Sequence, residues 1–231
     1  MTGAQIGLYS EKLDKEKGRG QNGAEPMDLK KRAAPKKKRG RDLLVPCLYF
    51  ARPGPQNTRR TLAVAAARAE ELDVRSIVVA SSSGKTGLLA ARRLKGKNLI
   101  VVTHSTGFVK PDFQEFRPSL RRKIEALGGK ILTCQHAFGG VNRSVRKKLA
   151  TYELDEIIAY TLRTLGEGAK VAVEISLMAA DAGLISIREP CIAVGGSSWG
   201  ADTALLLRPA NAQTFFDLKV LEVLAKPRLF D

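Results

Sequence analysis

Apolar residues come in short bursts along this chain, spaced by amphipathic stretches of ten to fifteen residues. "SIVVA" (76–80), "NLIVVT" (98–103), "KILTC" (130–134), "CIAVGG" (191–196) and "TALLLRP" (203–209) are near-continuous apolar runs. Runs of that length and β-branched content predict strands buried on both faces. "LLVPCLYF" (43–50) predicts a further strand. Between them, residues 58–72, 85–94, 114–127 and 154–165 carry helical periodicity, and Gly128–Gly129 closes the third of these helices. "AKVAVEIS" (169–176) predicts a strand that turns into a helix over 177–184, and "FFDLKVLEVLA" (215–225) predicts a last helix. Strand and helix alternate through most of the chain. That order predicts an α/β fold with a mostly parallel sheet and helices on both faces.

The first 42 residues have a different texture. They are rich in Gly, Lys and Glu, hold few large apolar residues, and predict a disordered basic leader ahead of one α/β domain over 43–231. The leader contains "KKRAAPKKKRGR" (30–41), which suits a nuclear-localisation signal or a nucleic-acid-contacting arm as well as a merely solvated tail. Net charge is +16, and the leader does not account for all of it. Residues 1–43 carry 12 Lys and Arg against 6 Asp and Glu, and the rest carry 27 against 17. Anionic partners are therefore favoured, whether nucleic acid or small phosphates. No apolar run reaches the ~18 residues a bilayer needs, and the N-terminus lacks a signal-peptide core. A cytoplasmic protein without membrane partners is expected, or a nuclear one if the basic cluster is a localisation signal. Cys47, Cys134 and Cys191 are odd in number and form no C-x-x-C pair, so neither a disulfide framework nor a zinc site is indicated.

The chemistry concentrates in "VASSSGKTG" (79–87). Gly84, Lys85 and Thr86 match the end of a Walker A loop, but the position of its opening glycine is Val79, inside the strand. The loop is too short to wrap a triphosphate. A helix starting at Lys85 would present free N–H groups and the positive end of its dipole. Ser81, Ser82 and Ser83 add hydroxyls, Gly84 permits close backbone approach, and Lys85 and Thr86 add a charge and a further hydroxyl. Together they suit one phosphate monoester. The alternative is a serine-capped helix, which needs one serine and not three.

The two histidines occupy equivalent places. His104 follows one predicted strand and His136 the next, so both face the rim that carries the serine loop. Gly107, Gly140 and Arg143 lie beside them in sequence and extend the expected pocket, Arg143 suiting a second anionic group. Glu174 is placed at a strand end on the same rim, and Asp181 is either a site carboxylate or a helix-end one. His104, His136, Glu174 and Asp181 are thus the candidates for acid–base catalysis. Their spacing assembles no triad, the G-x-S-x-G elbow of serine hydrolases is missing, and no metal-ligand spacing is present. Trp199, in "GGSSWGAD" (195–202), suits stacking on an aromatic ligand or a packing contact.

"IVVASSSGKTG", "VVTHSTGF", "HAFGGVNR", "KVAVEISLMAADAGLI" and "GGSSWGADTALLLRPA" together resemble a stand-alone form of the pyruvate kinase C-terminal domain, over about residues 43–231. The resemblance implies a three-layer α/β/α domain in which the serine loop grips a phosphate. It implies no pyruvate kinase activity, because that chemistry resides in a barrel this sequence lacks. It also implies flavin mononucleotide (FMN) as a ligand. The reading is therefore a binder of a phosphorylated small molecule, through Ser81–Thr86, His104, Gly107, His136, Gly140 and Arg143. Alternatives are an enzyme using His104 or His136 on a phosphorylated or carbonyl metabolite, and a nucleic-acid-associated protein using residues 30–41. Turnover and homo-oligomerisation stay open.

Overall fold

The computed structural model describes residues 42–228, and the basic cluster at 30–41 lies outside them. Seven strands form one sheet: β1 (Leu48–Phe50), β2 (Ser76–Ala80), β3 (Asn98–Val102), β4 (Lys130–Leu132), β5 (Cys191–Gly195), β6 (Thr203–Arg208) and β7 (Lys219–Pro227). Their order is β1-β7-β6-β5-β2-β3-β4. Only β6 runs against its neighbours, so the sheet is mostly parallel. Ile77, Val78 and Val79 show why the runs are continuously apolar. Ile77 and Val79 pack into one core with α1 (Thr58–Glu71) and α2 (Lys85–Arg93), and Val78 packs into the other. That second core contains α5 (Leu154–Arg163) and α6 (Glu167–Asp181). Successive side chains of a strand point to opposite faces, and helices cover both. The fold is a three-layer α/β/α domain.

Most predicted elements stand within a few residues of their expected limits. β1 is shorter than 43–50, and α3 spans Pro118–Ala126 rather than 114–127. Two segments differ in kind. Residues 169–176 are not a strand; they belong to α6, of which twelve residues are buried. A helix apolar on nearly all sides has no polar stripe, so its sequence reads like a buried strand. Residues 215–225 are not a helix. A 3₁₀ turn (Ala212–Asp217) leads into β7, which pairs with β6 and β1. The reason lies in the register: Leu205 faces Val223 while Ala204 faces Ala225, and Leu207 faces Val220 while Leu206 faces Glu222. Leu224 and Leu221 are thus extra residues at bulges, and a bulge breaks the period of two. The resulting Val-Leu-x-Val-Leu spacing imitates a helix. The sequence also hid α4 (Val141–Leu149), because no residue of that helix is buried. No helix among the described residues is long and apolar enough to cross a membrane.

Candidate functional site

The serine loop joins β2 to α2 at the C-terminal rim of the sheet. Gly84 has φ of +91°, and a Cβ there would lie 3.0 Å from Leu120 Cβ. Both the left-handed turn and the contact with α3 therefore select glycine. Ser81 is buried and acts as the helix cap: its Oγ accepts the Gly87 N–H at 3.1 Å, and its own N–H donates to Val102 O at 2.9 Å. Among the described residues, no acceptor meets the backbone N–H groups of Ser82, Ser83, Gly84, Lys85 and Thr86. Five consecutive backbone donors thus lack a protein acceptor, two of them on the buried residues Gly84 and Thr86.

A second loop faces the first. Gly196–Ala201 joins β5 to β6 and is tied to the start of α1, where Ala201 N–H donates to Thr58 Oγ1 at 3.0 Å. The fully buried Asp202 accepts from Ser197 N–H at 3.2 Å and Gly54 N–H at 3.1 Å, and from the Thr203 hydroxyl at 2.9 Å. Between the two loops lies a cavity of about 100 Å³, bounded by Ser82, Ser83, Thr86, His104, Gly196 and Trp199. It shares Ser83, Thr86, Trp199 and Gly200 with a wider cleft of about 1010 Å³. That cleft is basic, with Arg59, Lys85 and Arg117 on its wall, and partly aromatic, with Phe113 and Trp199. Trp199 is 67% exposed, so packing does not explain it.

Both histidines stand on this rim. His104 Nε2 is 3.1 Å from Ser82 Oγ, and its Nδ1 is 2.6 Å from Glu115 Oε2. The His104 and His136 ring centroids are 5.5 Å apart, and Phe108 lies against both rings. His136 Nε2 accepts the Ser105 N–H at 3.4 Å, which leaves the proton on Nδ1, 3.9 Å from Glu174 Oε2. Burial pushes the His136 pKa down to about 4 against a partial upward pull from Glu174, with His104, Lys170 and Arg143 adding to the fall. His136 is therefore neutral at neutral pH and serves there as a hydrogen-bonding group or base, not as an acid. Its proton affinity is lowered on folding, so its contribution to stability is complete above the unfolded value of about 6.5 and is lost as pH falls towards about 4. Lowering the pH from 7 to 5 is expected to remove roughly 2 kcal/mol through this group. Urea midpoints of wild type and His136→Gln at the two pH values check it, the variant showing the shallower loss.

The other expected site residues divide. Glu174 does reach the rim, though from the middle of α6 and not from a strand end; its Oε1 accepts the Phe138 N–H at 3.0 Å. Gly107, Gly140 and Arg143 line a separate recess of about 410 Å³ with Phe108, His136 and Lys147, not the serine-loop cleft. There the space beside Gly140 is taken by Gln135, whose side chain would overlap a Cβ. The Arg143 guanidinium lies 4.7 Å from the Phe108 ring centre. Asp181 lies at the end of α6, where it accepts from Asn211 Nδ2 at 3.1 Å and Ala212 N–H at 3.0 Å, the helix-end arrangement. Sequence reasoning missed Glu115, Asp202, Lys170, Arg59 and Arg117. Only Lys170 carried a signal, four residues before Glu174. No three or more His, Cys, Asp or Glu side chains among the described residues cluster as metal ligands.

The family model for the pyruvate kinase alpha/beta domain matches residues 59–207. The chain belongs to that family. The match takes in β2 to β5, nearly all of α1 and β6, and both Gly/Ser loops of the site. Among solved structures it is similar to a pyruvate kinase from Cryptosporidium parvum, with 14% identity and a TM-score of 0.34, over 64% of this chain and 22% of that one. It is also similar to Cryptosporidium parvum pyruvate kinase in complex with ADP, with 16% identity and a TM-score of 0.34, over 70% and 24%. This member of the pyruvate kinase alpha/beta domain family thus spans less than a quarter of the length of those kinases.

Proposed function

We propose that this protein binds a phosphorylated small molecule, its phosphate on the loop Ser81–Thr86 and its remainder in the basic, partly aromatic cleft. The observation that carries the reading is the run of five unpaired backbone N–H groups from Ser82 to Thr86 at the start of α2. Convergent amides at a helix N-terminus favour a dianion, and Lys85, Arg59 and Arg117 add full positive charges on the same wall. FMN is the ligand to test first. It carries one phosphate monoester, for the loop, and one flat ring, for the face of Trp199 or Phe113.

Lys85→Ala is expected to weaken FMN binding about tenfold to a hundredfold, the loss of one charge-assisted contact worth about 1.5–3 kcal/mol. Riboflavin, without the phosphate, is expected to bind wild type weakly and to be nearly indifferent to the substitution. Calorimetric titration of both ligands into both proteins measures this. Equal weakening of the two would show that Lys85 does not read the phosphate. No binding of FMN by wild type would remove FMN, and a panel of sugar phosphates would then take its place.

A further inference from the structure

We propose that Ser82, His104 and Glu115 form a nucleophile–base–carboxylate relay that hydrolyses small carboxylic esters. The inference goes beyond ligand binding and does not rest on it. The direction of each hydrogen bond follows from the chemistry of the groups. A carboxylate only accepts, so the proton at the 2.6 Å contact sits on His104 Nδ1 and is donated to Glu115 Oε2. His104 Nε2 is then left with its lone pair, and the Ser82 hydroxyl donates to it at 3.1 Å. A hydroxyl, a ring nitrogen that accepts its proton, and a carboxylate that holds the ring in that tautomer are the parts of an activated serine.

The surroundings fit this use. Of the three loop serines only Ser82 meets a base, because Ser81 is spent on capping α2. His104 is held at its backbone as well as at its ring: Gln114 Nε2 donates to His104 O at 3.0 Å, and Gln114 Oε1 accepts the Phe116 N–H at 2.9 Å. The loop carrying Glu115 is thereby fastened to the end of β3. The N–H groups of Ser83 and Gly84, which meet no acceptor among the described residues, follow Ser82 in the chain and are the donors the relay would use for an oxyanion. Ser82 and His104 both border the cavity of about 100 Å³, room for a short acyl group, and the wider cleft beyond accepts the alcohol. The loop is not the G-x-S-x-G elbow: Ser82 is the second of the four residues between β2 and α2.

In the acylation step Ser82 Oγ attacks the ester carbonyl carbon while His104 Nε2 takes its proton. The carbonyl oxygen becomes an oxyanion on the loop amides. Its collapse breaks the carbon–oxygen bond, and the alcohol leaves with the proton from His104. Water then attacks the acyl-serine, giving its proton to His104, and collapse returns that proton to Ser82 and releases the acid. The balance is ester plus water to acid plus alcohol. His104 is catalytic here, and Glu115 is a positioning residue. A phosphate monoester on the same amides would compete with the acyl group, so ligand and substrate exclude each other at Ser82.

The test uses the full chain, a fluorophosphonate probe and peptide mapping by mass spectrometry, with p-nitrophenyl acetate hydrolysis measured alongside. One adduct is expected, on Ser82, and Ser82→Ala loses both labelling and hydrolysis. His104→Gln is expected to slow labelling at least about tenfold, because it removes the base. Glu115→Gln is expected to slow labelling, and Glu115→Asp to restore part of it. Should a His104 or Glu115 variant fail to fold by circular dichroism, the adduct position in wild type and its loss in Ser82→Ala decide alone. No adduct on Ser82, or one whose rate is indifferent to His104→Gln in a folded variant, would overturn the relay.

Discussion

Replacing Glu174 with alanine is expected to cost about 3–5 kcal/mol of stability, because it strands a buried cation. Lys170 and Glu174 are only 4% and 3% exposed, one helical turn apart on α6, with Nζ 2.5 Å from Oε2. The other carboxylate oxygen accepts the Phe138 N–H, so truncation also orphans a backbone donor under the sheet. Desolvating an ammonium group without a partner costs several kcal/mol, whereas removing both charges leaves little to repay. The double variant Lys170→Met/Glu174→Leu is therefore expected to recover the share due to the stranded cation, but not that due to the Phe138 N–H, which leucine leaves unpaired. Urea unfolding of wild type, single and double variants gives the comparison. Equal stability of the single and double variants would mean that water reaches Lys170 and that the pair is not truly enclosed.

The second large effect is expected at Asp202. Its carboxylate gathers the Gly54 and Ser197 N–H groups and the Thr203 hydroxyl while itself being fully buried. It thus ties the turn before α1 to the loop that forms one wall of the cleft. Asp202→Ala leaves these donors without their acceptor, at about 1–3 kcal/mol for each one that water cannot reach. A loss of roughly 3–4 kcal/mol follows, again read from urea midpoints. Asp202→Asn keeps one accepting oxygen and is expected to lose about half as much. Because the loop 196–201 carries Trp199, FMN affinity is expected to fall in Asp202→Ala even under conditions where the variant stays folded.

The local features of the site were legible because they are local. A strand, three serines, a glycine and a helix start follow one another within the ten residues 76–85, so the loop needs no distant partner to form. The same holds for the two histidines, each one or a few residues past a parallel strand. Glu115 was not legible. It reaches His104 across an eleven-residue separation through a loop without periodicity, and nothing in its neighbours announces that fold-back. Arg59 and Arg117 were hidden for a similar reason, since each begins a different helix and only the packing of α1 and α3 around α2 brings them to one wall. Gly140 and Arg143 line a recess beside the serine-loop cleft rather than the cleft itself, because strand order says which rim a loop occupies and not how the rim is partitioned.

By itself the sequence determined the layered α/β architecture, since apolar runs buried on both faces alternate with amphipathic helices, and it located the Ser81–Thr86 loop between a strand and a helix start. Only the tertiary structure decided that 169–176 is helix and 219–227 strand, that Glu174 meets His136 from α6, and that Ser82, His104 and Glu115 line up. The physical reason is common to all of these. A helix enclosed on nearly every side and a strand with two bulges both lose the periodicity that marks them, and side chains from separate elements acquire a shared chemistry only when packing sets their distances.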